Sequence, residues 1–176
     1  IAELKKQPEF CFDTETTSVD PFSADFLGIS FSWKKNEAYY LPLLSINKIK
    51  NELLLVFKNS NIKKIGHNLK YDFEILEQNG FEVQGLYFDT MVASYLLNPG
   101  NRQHNLDTVA FVELGYQMQP IEDLIGSGKN QINMSEVPLE KISWYSGEDA
   151  DITYQIYQKL KQDLENEGMF GLFEEL

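Results

Sequence analysis

Along Phe10-Cys11-Phe12-Asp13-Thr14-Glu15-Thr16-Thr17 the residues read as a buried strand that ends on polar positions. Alternation puts Phe10, Phe12 and Thr14 on one face and Cys11, Asp13 and Glu15 on the other. A turn follows from Val19 to Ala24, containing Asp20-Pro21. Phe26 to Trp33 reads as a second strand, Lys34 to Glu37 as a hairpin turn and Ala38 to Leu43 as a third strand. The spacing of Ile49, Leu53, Val56 and Phe57 predicts a helix over Ile46 to Phe57. Next come a short strand, Ile62 to Gly66, and a helix from Leu69 that Asn79-Gly80 stops. Leu86 to Asp89 forms another strand, running into a helix over Thr90 to Leu97 that Asn98-Pro99-Gly100 ends. A helix over Leu106 to Leu114, a looser segment from Gly115 to Pro138, and a long helix from Leu139 to about Glu167 complete the order. Three meandering strands followed by alternating helices and strands predict one mixed α/β sheet with helices on its faces.

The bulk properties narrow this picture. At 176 residues the chain is the size of one domain, with no internal repeat or linker. One cysteine excludes a disulfide framework and a cysteine-rich zinc site. No charge-free run is long enough to span a bilayer and the first residues are not a signal peptide, so a soluble, reducing, cytoplasmic setting is the expectation. Phe170 to Leu176 reads as an amphipathic helix cut short, as expected of a domain excised from a longer polypeptide. The formal charge is -12, whereas a chain that grips nucleic acid unaided is normally basic. Arg102 is the single arginine and the lysines are scattered. A nucleic-acid substrate would have to be held by metals, a few local contacts or a neighbouring domain.

Carboxylates are the candidate chemistry. Asp13 and Glu15 project the same way from the end of the first strand, and two like charges side by side call for a cation. In the long helix Ile142, Tyr145, Asp149, Ile152, Ile156 and Leu160 recur at steps of three and four, so Asp149 interrupts the apolar stripe. Glu148 and Asp151 fall off that stripe and are expected in solvent. Asp72 shares a helix face with Leu69 and Leu76. Each acid has a purely structural alternative: an acidic turn, an Asp–Tyr packing pair, or an early-helix acid favouring the macrodipole. Three segments delivering acids inward fit one shared site better than three coincidences. Asp89 is expected to cap the helix after its strand, Cys11 to fill core, and Trp33 and Trp144 to pack.

Asp13-Thr14-Glu15, Asn68-Leu69-Lys70-Tyr71-Asp72 and Tyr145-Ser146-Gly147-Glu148-Asp149 resemble, in order and spacing, the three motifs of the DnaQ-like (DEDD) 3'-5' exonucleases. Phe88-Asp89-Thr90-Met91, Gly128-Lys129-Asn130-Gln131 and Glu148-Asp149-Ala150-Asp151 are similar to the proofreading domains of bacterial family A DNA polymerases. The resemblance covers nearly the whole chain and implies an RNase H-like fold. It implies two Mg2+ or Mn2+ ions held by Asp13, Glu15, Asp72 and Asp149, activating a water and clamping the attacking and leaving oxygens. Tyr145 in place of a histidine implies the tyrosine (DEDDy) subclass, with Tyr145 and Glu15 orienting the water. Thr14, Asn68, Lys70, Tyr71 and Val19 are similar to residues that position the 3'-terminal nucleotides; Val19 stands where relatives often have Leu, and a smaller side chain makes a weaker wedge. The expected substrate is a single-stranded DNA 3' end, the expected neighbour a polymerase domain of the same polypeptide, and the expected state a monomer near the bacterial nucleoid. Two other readings stand beside this one: an exoribonuclease of the RNase D type, and a non-catalytic domain that braces a polymerase.

Overall fold

A computed structural model describes residues 1–176. Strands β1 (Glu9–Thr16), β2 (Phe26–Lys34), β3 (Glu37–Pro42), β4 (Lys63–Gly66) and β5 (Leu86–Asp89) form one sheet in the order β3-β2-β1-β4-β5. β1, β2 and β3 run antiparallel, while β4 and β5 run parallel to β1. The helices are α1 (Leu43–Lys58), α2 (Leu69–Gln78), α3 (Thr90–Leu97), α4 (Leu106–Leu114), α5 (Glu122–Ile125), α6 (Leu139–Asn166) and α7 (Phe170–Glu174). No helix is long and apolar enough to cross a membrane.

β1 is the middle strand, and its alternation feeds two separate cores. Phe10 and Phe12 enter the first, with Phe57 from α1 and Leu69, Ile75 and Leu76 from α2. The rings of Phe10, Phe12, Phe31, Phe57 and Phe81 meet mainly edge to face at centroid distances of 5.3–6.3 Å, the arrangement their quadrupoles favour. Cys11 enters the second, with Ile65, Phe88 and the α6 residues Ile152, Ile156 and Leu160. A buried lysine also sits on the Phe10 side. Lys64, paired with Phe10 in the ladder, is fully buried; its Nζ donates to the Asn59 carbonyl beyond α1 at 2.6 Å, and burial lowers its pKa to about 8.

The predicted elements are present, with two adjustments. α1 begins at Leu43 rather than Ile46, directly after the β3 residue Pro42, and departs from helical angles at Ile49 (φ -122°). The segment after α4 is more ordered than its composition indicates. It holds α5 and two one-turn 3-10 helices, Gly128–Asn130 and Met134–Glu136, the latter closed by an Asn133–Glu136 capping box. The Asn79-Gly80 stop works as expected: Gly80 takes a positive φ of 80° and the Phe81 N–H returns to the Leu76 carbonyl at 2.9 Å.

Candidate active site

The ladder between β1 and β4 ends at the pair Cys11–Ile65, and the two strands then diverge. Beyond that point the Thr14 N–H has no strand partner on this side. Asp72, in the first turn of α2 and only 2% exposed, takes it instead: its Oδ1 accepts from Thr14 N at 2.9 Å and Thr14 Oγ1 at 2.6 Å. On the opposite face of β1, the side-chain oxygens of Asp13, Glu15 and Asp149 lie within 4.8 Å of one another. Asp149 arrives from α6, so three elements deliver the four acids. A bulge between Glu15 and Thr16 breaks the β1–β2 register at this spot, a common device beside functional sites.

All four acids line one cleft of about 860 Å³ at the carboxyl end of β1, where ligands of open α/β sheets bind. No lysine or arginine lines it, and none of the salt bridges involves these acids. Glu15 Oε1 is buried without a hydrogen-bond partner. Removal from water pushes all four carboxyls upward. Asp13 goes well above its ordinary range through burial, then the charges of Asp72, Asp149 and Glu15. Asp149 follows through burial and then Glu15, with the facing Tyr145 hydroxyl acting the other way. Glu15 reaches about 7, driven by burial; Asp72 also reaches about 7 by burial, with its two Thr14 hydrogen bonds opposing the rise. The Tyr145 phenol is pushed far up by burial and by Asp149, Glu15 and Asp13, so it is a hydrogen-bond donor at neutral pH.

The remaining predicted site residues are placed unevenly. Thr14, Val19, Asn68 and Tyr71 line the cleft with Tyr145, whereas Lys70 is exposed on α2 and does not. Val19 stands on the rim, 95% exposed. Asn68 takes a left-handed conformation (φ 63°) just before α2. The Tyr71 hydroxyl meets Thr16 Oγ1 and donates to the Ser18 carbonyl, both at 2.5 Å, which ties α2 to the loop carrying Val19. Asp89 is engaged elsewhere: it caps α3 through Met91 N at 2.8 Å and also accepts from Leu69 N at 2.8 Å at the start of α2.

Some expectations are corrected. Glu148 and Asp151 are not simply solvated. Glu148 accepts from the Tyr116 hydroxyl at 2.7 Å and Gln119 N at 2.9 Å, fastening the segment that walls the cleft; Asp151 accepts from Asn36 N at 2.7 Å in the β2–β3 turn. Trp144 is 72% exposed and packs little, because it lies on the solvent side of α6; Trp33 stacks on Tyr39 with ring centroids 4.7 Å apart. Two positions escaped notice. Gly28 stands opposite Glu15, and where its Cβ would be lies the Tyr40 hydroxyl, with Tyr40 Cζ 2.5 Å away. A second phenol therefore sits beside Glu15. A glycine inside an apolar strand is the signal for such a close approach.

A family model described as 3'-5' exonuclease matches residues 1–165. The chain is 42% identical over 173 residues to DNA polymerase I of Borreliella burgdorferi, covering 93% of this chain and 19% of that one. It is 38% identical over 176 residues to DNA polymerase I of Chloroflexus aurantiacus, covering 95% and 18%. The chain thus spans about a fifth of the length of the curated relatives it matches. Among solved structures, Brucella melitensis NrnC with bound Mg2+ is similar at a TM-score of 0.74 and 21% identity, covering 95% of this chain and 78% of that one. The catalytic core of RRP6 from Trypanosoma brucei is similar at 0.76 and 19%, covering 99% and 46%. At those identities the likeness bears on the fold, an RNase H-like mixed sheet flanked by helices. The match over residues 1–165 runs through every strand and nearly all of α6, and the chain belongs to the 3'-5' exonuclease family.

Proposed function

We propose that this chain is the proofreading 3'-5' exonuclease domain of a DNA polymerase I. It would hydrolyse the last phosphodiester bond of a single-stranded DNA 3' end and release a nucleoside 5'-monophosphate. The observation that carries this reading is the meeting of Asp13, Glu15 and Asp149 within 4.8 Å, beside Asp72 and with no cationic side chain in the cleft. Such a set, all oxygen donors with one oxygen left unpaired, fits hard divalent ions and not a soft metal. Asp13, Glu15 and Asp149 would hold one Mg2+ or Mn2+, and Asp13 with Asp72 a second. When bound, the ions would neutralise the carboxylates and the phosphate and make water acidic enough to attack at neutral pH.

The chain's own groups supply the positioning. Thr14 fixes Asp72 through two hydrogen bonds, so its second oxygen is the one free to ligate. Tyr145 keeps its phenolic proton and so orients the attacking water as a donor, with Glu15 accepting from that water. Asn68, Tyr71 and the Val19 rim would seat the terminal nucleotide, and Lys70 would reach the DNA from outside the cleft. DNA is preferred over RNA because the relatives at 38–42% identity are DNA polymerases I, while the RRP6 likeness is one of fold. A purely bracing role would not need four acids in one cleft, and all four are present.

The test is digestion of matched 3'-labelled single-stranded DNA and RNA oligonucleotides with Mg2+, Mn2+ or EDTA. The expected result is stepwise, metal-dependent release of deoxynucleoside 5'-monophosphates by the native chain and roughly 10²–10³-fold slower release by Asp13→Ala. Faster RNA cleavage, activity in EDTA or an unchanged rate in Asp13→Ala would overturn the reading.

A further inference from the structure

Glu148 stands next to Asp149 on α6, where a further carboxylate adds to the repulsion among acids already gathered without a cation. No salt bridge offsets it. Both of its oxygens go to one stretch of chain: Oε1 accepts from the Tyr116 hydroxyl at 2.7 Å and Oε2 from Gln119 N at 2.9 Å, across 32 and 29 residues of sequence. Residues 115–120 form neither helix nor strand, so these two bonds fix what the local backbone leaves free. Met118, between the two bonded residues, is buried in the second core, but a methionine side chain adapts to its surroundings and sets no direction.

What the stretch leads into gives the contact a purpose. Directly after it come Ile121, Ile125, Gln131 and Ile132, which line the cleft. Ile121 and Ile132 are 39% and 40% exposed, apolar surface beside a site whose chemistry is otherwise that of carboxylates. The far end of this wall is held more lightly, by Asn133 Nδ2 donating to the Thr17 carbonyl at 3.4 Å. Gly126 and Gly128, both at positive φ, lie between the two ends. The firm end is therefore the one at Glu148.

We infer that Glu148 is a positioning residue for the substrate: its carboxylate ties the apolar wall of the cleft to the helix that carries Asp149, and so fixes where the bases of a single strand lie relative to the acids. The inference rests on the exonuclease reading for the identity of the substrate. A wall held in place beforehand removes an ordering cost from binding, and hydrogen bonds to a charged acceptor are strong enough to hold it. Glu148 spends both oxygens on the wall, so its loss falls on substrate affinity and not on ligation or chemistry.

The experiment compares the native chain with Glu148→Ala, Glu148→Gln, Tyr116→Phe and the double variant Glu148→Ala/Tyr116→Phe. Glu140→Gln, at an exposed position in the first turn of α6, is the control for charge. Three quantities are measured: kcat and KM on a single-stranded DNA oligonucleotide with Mg2+, the Kd of the same oligonucleotide by fluorescence anisotropy with Ca2+, and Mn2+ affinity from the EPR signal of free ion. Glu148→Ala should raise KM and Kd about tenfold and Tyr116→Phe about threefold, the scale of hydrogen bonds to a charged group. Glu148→Gln falls between them, because its amide oxygen still accepts one bond. The double variant should be no worse than Glu148→Ala, since both changes break the same bond. In every variant kcat and Mn2+ affinity stay native, and Glu140→Gln behaves as native throughout.

Native KM and Kd in both Glu148→Ala and Tyr116→Phe overturn the inference. So does a defect confined to the Glu148 variants and accompanied by weaker Mn2+ binding or lower kcat, which would make the Glu148 charge act on its neighbour Asp149. Should Glu148→Ala fail to fold, Tyr116→Phe decides alone, since it loses only the hydroxyl of an exposed ring. A native chain that binds the oligonucleotide yet cleaves nothing would sink the exonuclease reading, while the Kd comparison would still decide the role of Glu148.

Discussion

The two faces of β1 carry neighbouring residues into opposite conditions. Phe10 and Phe12 point into a sealed core in which aromatic rings meet edge to face, every one of them buried. One residue along, Asp13 and Glu15 point into a cleft with no cation to balance them, against an acid from another element. The aromatic core lowers the free energy of the fold and the unbalanced acids raise it. Stability is concentrated in the cores along the first part of the strand, which leaves its carboxyl end free to hold charges that repel until an ion arrives. Even the one buried lysine, Lys64, lies on the aromatic side and answers a backbone carbonyl, not the acids.

Truncation separates the faces first. Phe12→Ala should cost about 3–5 kcal/mol, read by denaturant unfolding, since it empties the middle of the aromatic cluster. Asp13→Ala should act in the reverse sense. Nuclease activity should fall by roughly 10²–10³-fold, while the metal-free melting temperature holds or rises because a repelling charge is gone. A drop in metal-free stability as large as that of Phe12→Ala would erase the distinction between the faces.

The pH dependence of the metal-free chain should be smaller but diagnostic. Glu15 and Asp72 titrate near 7 in the fold against ordinary values of 4.5 and 3.8. The folded chain therefore binds more protons than the unfolded chain between about pH 4 and 7. Their contribution to stability is full below that window, is lost as pH rises through it, and is constant above it. Calorimetry without metal should give a higher melting temperature at pH 5 than at pH 8, and saturating Mg2+ at pH 8 should recover the difference by binding the folded state. The weakest expected effect is of salt. With no lysine or arginine lining the cleft, binding of a short single-stranded DNA by the isolated chain should lose little affinity between 50 and 200 mM salt, a slope of about one or less. A steep slope would show that cations outside the cleft, such as Lys70, carry the grip.

Much of this was legible in the residues because the signals are local. Alternation in β1 sorted Phe12 from Asp13, and the apolar stripe of α6 picked Asp149 out of Glu148-Asp149-Ala150-Asp151. Asp89 was legible as a cap because a carboxylate at a strand-to-helix junction meets free N–H groups. Other features had no local signature. Trp144 has an apolar side chain but lies where α6 meets no other element, and Tyr40 approaches Glu15 only because Gly28 leaves the space.

The division follows from how far each kind of information reaches along the chain. Periodicity and caps operate over a few residues, so composition and spacing settle which segments become strands and helices and which side chains turn inward. Distance in space between Asp13, Asp72 and Asp149 is set by strand order, by the divergence of β1 from β4 and by the seat of α6 on the sheet. Those depend on packing among residues scores of positions apart, and only the folded chain decides them: that Asp72 is tied to Thr14 and that Glu148 fastens a wall of the cleft.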